Sequence, residues 1–212
     1  MTSLADLRRE YERAGLAEGD VDADPFVQVR HWLADAVAGG VDEPNAMTLA
    51  TADASGAPSA RTVLLKGFDA RGFVFFTSYE SRKARELTEN PRAAIVLPWL
   101  ALERQICVTG SVERVTRDET IEYFAQRPRA SQLGAWTSPQ SQVISSRDEL
   151  DARLAEVTAR FEGRDVTPPE TWGGFRLVPV TIELWQGRQS RLHDRLRYRR
   201  EGSAWTIERL AP

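Results

Sequence analysis

From Asn45 to Leu210 the chain runs through a succession of short β-prone stretches, most closed off within a few residues by turn chemistry. "NAMTLAT" gives way to "ADASGAP", and "SARTVLLK" gives way to "GFDARG". "GFVFFTS" follows, dense in residues that suit a pleated, half-buried surface. "AAIVLPW", "RQICVTGSVERV", "VTIELWQG", "RLRYRR" and "AWTIERL" continue the series. Short strands joined by turns and interrupted by only a few helices predict one α+β domain built on a mostly antiparallel barrel.

The helices announce themselves by their ends. Asp24 followed by Pro25 is an N-cap with proline at the first helical position. Phe26, Val29, Leu33 and Val37 then recur at helical spacing until Gly39 and Gly40 stop the run. Ser81 caps "RKARELTE", which Asn90 and Pro91 end. Thr116 and Glu119 form a capping box before Ile121, Tyr123, Phe124 and Arg127. Ser146 opens a last helix with Leu150, Leu154, Val157 and Phe161 as its apolar stripe. Residues 3–14 read as a short charged helix, and Pro168, Pro169, Gly173 and Gly174 read as a loop.

Charge narrows the function. The chain of 212 residues carries a net charge of −3, the wrong sign for a non-specific nucleic-acid binder. Its one cysteine, Cys107, permits no internal disulfide and, within "RQICVTG", reads as a core residue. Two distant histidines, His31 and His193, give no metal-ligand spacing, so no metal is expected. No apolar run has the length of a membrane span, and the charged N-terminus lacks a signal peptide's apolar region. The expected compartment is the cytoplasm.

Against that acidic balance, cations gather at four places. Arg82 and Lys83 sit in the first turn of a helix, where the macrodipole is already positive, an arrangement that suits a docked anion or else an exposed basic helix. Arg61 and Lys66 bracket an apolar strand and would need a strand end to reach one ligand. Tyr123 and Arg127 are four apart, with Ser131 continuing the spacing beyond Pro128: a phosphate grip, or a polar helix rim. In "WQGRQSRLHDR", Arg191, His193 and Arg195 share the parity of one strand face, either a pocket wall or a charged strand edge. No nucleophile elbow, Walker motif or dinucleotide fingerprint accompanies them. Anion grips without acid–base machinery favour a phosphorylated cofactor that carries the reaction itself.

Taken in order, "EPNAMTLAT", "RTVLLKGFDARGFVFFTSYESRKARELTENPRAA", "RQICVTGSVE", "YFAQRPRASQLGAW", "WGGFRL" and "ELWQGRQSRLHDR…RLAP" resemble the pyridoxine (pyridoxamine) 5′-phosphate oxidases over nearly the whole chain. The resemblance implies a single FMN-binding split-barrel domain over 1–212, with a helical segment at 1–40 and C-terminal strands at 172–212 completing the substrate site. It implies a homodimer with FMN at the subunit interface. The activity it implies is oxidation of pyridoxamine and pyridoxine 5′-phosphates to pyridoxal 5′-phosphate, with O2 reduced to H2O2.

Carried onto this sequence, the FMN contacts are Arg61, Thr62, Val63, Leu64, Leu65, Lys66, Phe76, Thr77, Arg82, Lys83, Gln105, Gln140, Ser141, Trp185 and Arg195. The substrate phosphate falls to Lys66, Tyr123, Arg127 and Ser131; Arg191, Leu192 and His193 face the substrate ring, with Arg191 and His193 as the catalytic pair. Three departures stand out: Phe76 where tyrosine is frequent, Pro139 before Gln140, and Cys107 at a usually basic or aliphatic position. Two other functions share the barrel, a deazaflavin (F420)-dependent reductase and a non-catalytic flavin or pyridoxal-phosphate carrier. The grips around Tyr123 and Arg191 disfavour the first; Arg191 and His193 beside a full flavin set disfavour the second.

Overall fold

The structure, a computed structural model, describes Ser3, Tyr11 and residues 15–212; apart from Ser3 and Tyr11, the helix expected over 3–14 lies outside the described residues. Among the described residues nine strands follow one another: β1 (Ala46–Ala52), β2 (Pro58–Leu64), β3 (Gly67–Asp69), β4 (Gly72–Ser78), β5 (Arg92–Trp99), β6 (Arg104–Arg114), β7 (Trp172–Gln186), β8 (Asp194–Glu201) and β9 (Ala204–Arg209). Every pairing is antiparallel, in the order β2-β1-β5-β6-β7-β4-β3, with β8 and β9 branching from β7.

The branch makes the sheet curl. β7 pairs along one edge with β6, while its other edge is divided, 172–177 with β4 and 181–186 with β8. At the division the β6–β7 register slips between Thr109 and Gly110, opposite Pro179. Such a bulge bends the strand and increases its twist. A Cβ on Gly110 would stand 2.0 Å from the Val178 carbonyl oxygen, so no larger residue fits the slip. The result is a half-barrel of the split type.

Strand alternation fills its concave side. Met47, Leu49, Ile95, Leu97, Ile106, Val108, Ile182, Leu184, Leu196 and Tyr198 are all buried there. Helix α1 (Pro25–Ala38) closes over them with Phe26, Val29, Trp32 and Ala36. Asp24 caps it as expected, accepting from the Phe26 N–H at 2.8 Å. Val37 does not join the stripe and is 62% exposed, because Trp32 and Ala36 complete the buried face instead.

Helix α2 (Arg82–Glu89) begins at Ser81 and α3 (Arg117–Ala125) at Thr116, each capped by its hydroxyl. α3 ends before Arg127, and a separate α4 (Arg129–Thr137) starts after Pro128, which has no N–H to continue the ladder. α5 (Arg147–Arg160) is capped by Ser146, yet none of its residues is buried; only Phe161, just past its end, enters a small second core with Phe124, Leu133, Val166 and Trp172.

Two further expectations need correction. Gly173 and Gly174 are not a loop: they pair with Thr77 and Phe76 inside the sheet. Cβ atoms there would lie 2.1 Å from the Tyr79 hydroxyl and 2.7 Å from Val115, so close packing selects the glycines. Cys107 is half-buried on the convex face, since its neighbours Ile106 and Val108 take the core side. Among the described residues no helix is long and apolar enough to cross a membrane.

Candidate functional site

A cleft of about 640 Å³ opens where the end of β2 meets β4, α2 and the α3–α4 junction. Arg61, Lys66, Lys83 and Arg127 line it, and among the described residues no carboxylate does. The strand-end condition set by Arg61 and Lys66 is met. β2 stops at Leu64; the Leu65 N–H donates to the Asn45 carbonyl, and the Lys66 N–H to that of Val74. The chain turns there, and both cations reach one space although their strand parity differs.

Lys83 is buried, its Nζ donating to Thr77 Oγ1 at 3.1 Å and Gln140 Oε1 at 3.0 Å. Burial, then the charge of Arg61, brings its pKa down to about 8. The Thr77 hydroxyl also donates to Gln140 Oε1 at 2.7 Å, so Pro139 does not keep Gln140 from the cleft. Arg82 points the other way: exposed, it donates through Nε to Glu86 at 2.8 Å and does not line the cleft.

Opposite, three near-parallel rings build the wall. Phe76 stacks on Tyr123 at 4.0 Å between centroids and on Trp172 at 5.5 Å. The Arg127 guanidinium lies 4.6 Å over Trp172 and 5.4 Å from Phe124. Among the described residues its Nη1 is buried without a hydrogen-bond partner, and burial lowers its pKa. An orphaned buried donor is costly, so the atom calls for an acceptor, and an anion in the cleft supplies one. Ser131, brought round by α4, lines the same space. Phe76 carries no hydroxyl but is used as a stacking ring.

The remaining candidates lie elsewhere. Leu65 is a core residue, and Ser141, at φ 69°, sits exposed beside Gln140. Gln105, Trp185 and Arg195 form one cross-strand row by register, on the convex face. Arg195 is held there by Glu183 at 2.8 and 3.1 Å and by the Ala211 carbonyl. The segment after Trp185 is not extended: Gln189, Ser190 and Arg191 form a tight 3-10 turn, with Ser190 and Arg191 at φ 56° and 60°. Parity therefore does not align Arg191, His193 and Arg195. His193 instead folds back on Trp185 at 4.7 Å, with Tyr11 at 5.5 Å, while Leu192 is 69% exposed. The Arg188 N–H donates to His193 Nδ1 at 3.1 Å, so the neutral ring carries its proton on Nε2. Burial and then the charge of Arg191 lower the His193 pKa and favour that neutral form.

Glu86 is a residue that reading the sequence missed. It is buried although it sits in a charged helix, and it accepts from Thr51, Ser59 (2.6 Å), Arg82 (2.8 Å) and Arg61 (3.4 Å). Burial alone would raise its pKa; these donors outweigh it and hold the carboxyl at about 2. Its spacing from Arg82, four residues on one helix, was the available signal.

Comparison with known proteins is consistent with this arrangement. Residues 33–161 match the family model described as pyridoxamine 5′-phosphate oxidase, and residues 172–212 match that of the pyridoxine 5′-phosphate oxidase C-terminal dimerisation region. A protein of Rubrobacter xylanophilus named pyridoxine/pyridoxamine 5′-phosphate oxidase is 58% identical over 99% of this chain and 96% of its own length. One of the same name from Burkholderia thailandensis is 56% identical over the whole of both. PhzG from Burkholderia lata, solved with tetrahydrophenazine-1-carboxylic acid, superposes with a TM-score of 0.89 at 33% identity, covering 96% of this chain and 100% of that one. An FMN-binding, pyridoxamine 5′-phosphate oxidase-related protein of Nostoc punctiforme shares the fold, with a TM-score of 0.70 at 20% identity, over 91% of this chain and 100% of its own.

Proposed function

The chain belongs to the pyridoxamine 5′-phosphate oxidase family, and from that premise we propose that it oxidises pyridoxamine and pyridoxine 5′-phosphates to pyridoxal 5′-phosphate, using FMN and reducing O2 to H2O2. The observation that carries the reading is a cleft lined by four cations and no carboxylate, in a chain of net charge −3. Such a site is built for phosphate. Its lining offers donors for two phosphates. Arg61, Lys83, Thr77 and Gln140 suit that of FMN, with Arg82 nearby; Lys66, Tyr123, Arg127 and Ser131 suit that of the substrate, which supplies the acceptor Arg127 Nη1 lacks.

FMN, when bound, would supply the two-electron redox chemistry that links the substrate's 4′ carbon to O2. The protein's share is positioning. The phosphate grip anchors one end of the substrate, and the ring stack of Phe76, Tyr123 and Trp172 excludes water beside it. Arg191 offers positive charge to the ring, and His193, neutral with Nδ1 occupied, offers its Nε2–H as a donor.

In this reading Gln105, Trp185, Arg191, Leu192, His193 and Arg195 of one protomer close the cleft of its partner in a homodimer. Support comes from their place: most fall within 172–212, the region matched by the dimerisation model. The convex face beside them presents small side chains, Ala50, Ala94, Cys107, Thr109 and Thr181, against which a second sheet can pack closely. The ligand solved with PhzG is a tricyclic carboxylic acid without phosphate, and four phosphate-seeking side chains favour the phosphate ester here. Purified protein should be yellow and release FMN on denaturation. With pyridoxamine 5′-phosphate it should form aldehyde and peroxide together, and a protein silent in both overturns the assignment.

A further inference from the structure

Glu86 poses a contradiction. Its side chain is only 7% exposed, its carboxyl is ionised, and it stands behind the cations proposed to meet the FMN phosphate. By Coulomb's law a negative charge there repels the anion. A buried carboxylate is also expensive unless fully bonded, and this one is fully bonded. Its bonds explain its use. Arg61 gives all four of its Nη hydrogens away: two to the Leu49 carbonyl and Thr51 Oγ1, two to Ser59 Oγ and Glu86 Oε2. Among the described residues its Nε–H has no acceptor and is the donor left for a ligand. Glu86 binds the same two hydroxyls, so the ring of Thr51, Ser59, Glu86 and Arg61 closes on itself. The other carboxylate oxygen accepts from Arg82, one turn earlier on the same helix.

We propose that Glu86 is the positioning residue of the cofactor-phosphate cradle, fixing Arg61 as a phosphate ligand, and that this geometric contribution outweighs the repulsion of its charge. The proposal rests on the flavin reading given above and extends it to a residue outside the binding set. Neutralising Glu86 makes the cradle more positive, so charge and geometry predict opposite signs for the change in affinity.

The test uses flavin-stripped full-length protein, titrated with FMN and separately with riboflavin, which lacks the phosphate; binding is read by quenching of flavin fluorescence. Glu86→Ala should weaken FMN by about ten- to a hundredfold, the range of one lost charge-assisted hydrogen bond, and leave riboflavin unchanged. Glu86→Gln keeps an acceptor for Arg61 and the Thr51 and Ser59 hydroxyls and should recover part of the loss; it also serves if the alanine variant fails to fold. Equal losses for FMN and riboflavin overturn the proposal, because they mark a general structural defect. FMN binding unchanged in both variants overturns it, and tighter binding overturns it in favour of charge alone. A wild type that binds neither flavin refutes the flavin reading and the proposal with it, whereas normal wild-type binding with unaltered variants refutes the proposal alone.

Discussion

Arg127→Met separates what that residue does for folding from what it does for binding. In the protein without ligand, Arg127 Nη1 is buried and unpaired, and an unsatisfied buried donor costs about 1–3 kcal/mol. The guanidinium's contact with Trp172 at 4.6 Å returns about 0.5–2 kcal/mol, the span from an exposed to a desolvated cation–ring contact. Methionine is unbranched and its thioether packs well on an aromatic face, so little of the packing is lost. The balance places the variant between about 1 kcal/mol less and about 2.5 kcal/mol more stable than wild type in the absence of ligand. Binding moves the other way. Each hydrogen bond to a charged group contributes about 1.5–3 kcal/mol, which weakens a phosphate ester by roughly ten- to a hundredfold. Urea unfolding of the flavin-free protein reads the first effect; calorimetric titration of the FMN-loaded protein with pyridoxal 5′-phosphate reads the second. A variant destabilised by more than about 1 kcal/mol, or one that binds the ester as wild type does, refutes the assignment of Arg127 as a held, unpaired phosphate ligand.

Lys83 predicts a pH dependence. Burial first and the charge of Arg61 second lower its pKa to about 8, and a bound phosphate would raise it again. The protonated form attracts the anion, so FMN affinity should hold below about pH 8 and fall as pH rises through that value, while Lys83→Met binds more weakly with no such fall. Thr109→Arg puts a long cation on the convex face, where Thr109 now meets Thr181 Oγ1 at 2.6 Å. Sedimentation velocity should show loss of self-association together with loss of flavin; a monomer that keeps wild-type FMN affinity argues against a shared site. Arg191→Met and His193→Ala should impair oxidation while leaving FMN bound, checked by peroxide release per flavin; a variant that sheds flavin but keeps its turnover per flavin reverses that division.

The strands were legible because alternation was strong where one face is buried, as at Met47/Leu49 and Ile106/Val108. Helix starts were legible because Asp24, Ser81, Thr116 and Ser146 cap by local bonds that need no tertiary context. Reading failed where distant contacts override local preference. Gly173 and Gly174 look like breakers until Tyr79 and Phe76 are seen to occupy the space their side chains would take. Tyr123 and Arg127 do share a cleft, but not by helical spacing: α3 has ended at Ala125, and Pro128 turns the chain so that Ser131 joins them. Ser190 and Arg191 leave the extended conformation at positive φ, a cost of order 1–3 kcal/mol each that no pattern of residue types discloses. Glu86 stayed hidden because its partners Thr51 and Ser59 come from β1 and β2, far along the chain.

The two ends of the cleft hold their arginines by opposite devices, and the difference follows from the tasks proposed for them. Arg61 is pinned by Glu86 and two hydroxyls, with every Nη hydrogen committed. That loses some positive charge but leaves little conformational freedom to be lost on binding, which suits a cofactor that stays. Arg127 leans on ring faces, which hold a guanidinium without neutralising it, and keeps a buried donor unpaired. That leaves its full charge for a ligand that must be captured and released at each turnover. A carboxylate beside Arg127 would satisfy Nη1 and compete with every incoming phosphate; an aromatic face beside Arg61 would leave its fork free to turn. The aromatic wall and the buried acid are therefore not interchangeable supports, and exchanging them should impair the two phosphate sites for different reasons, one by competition and the other by disorder.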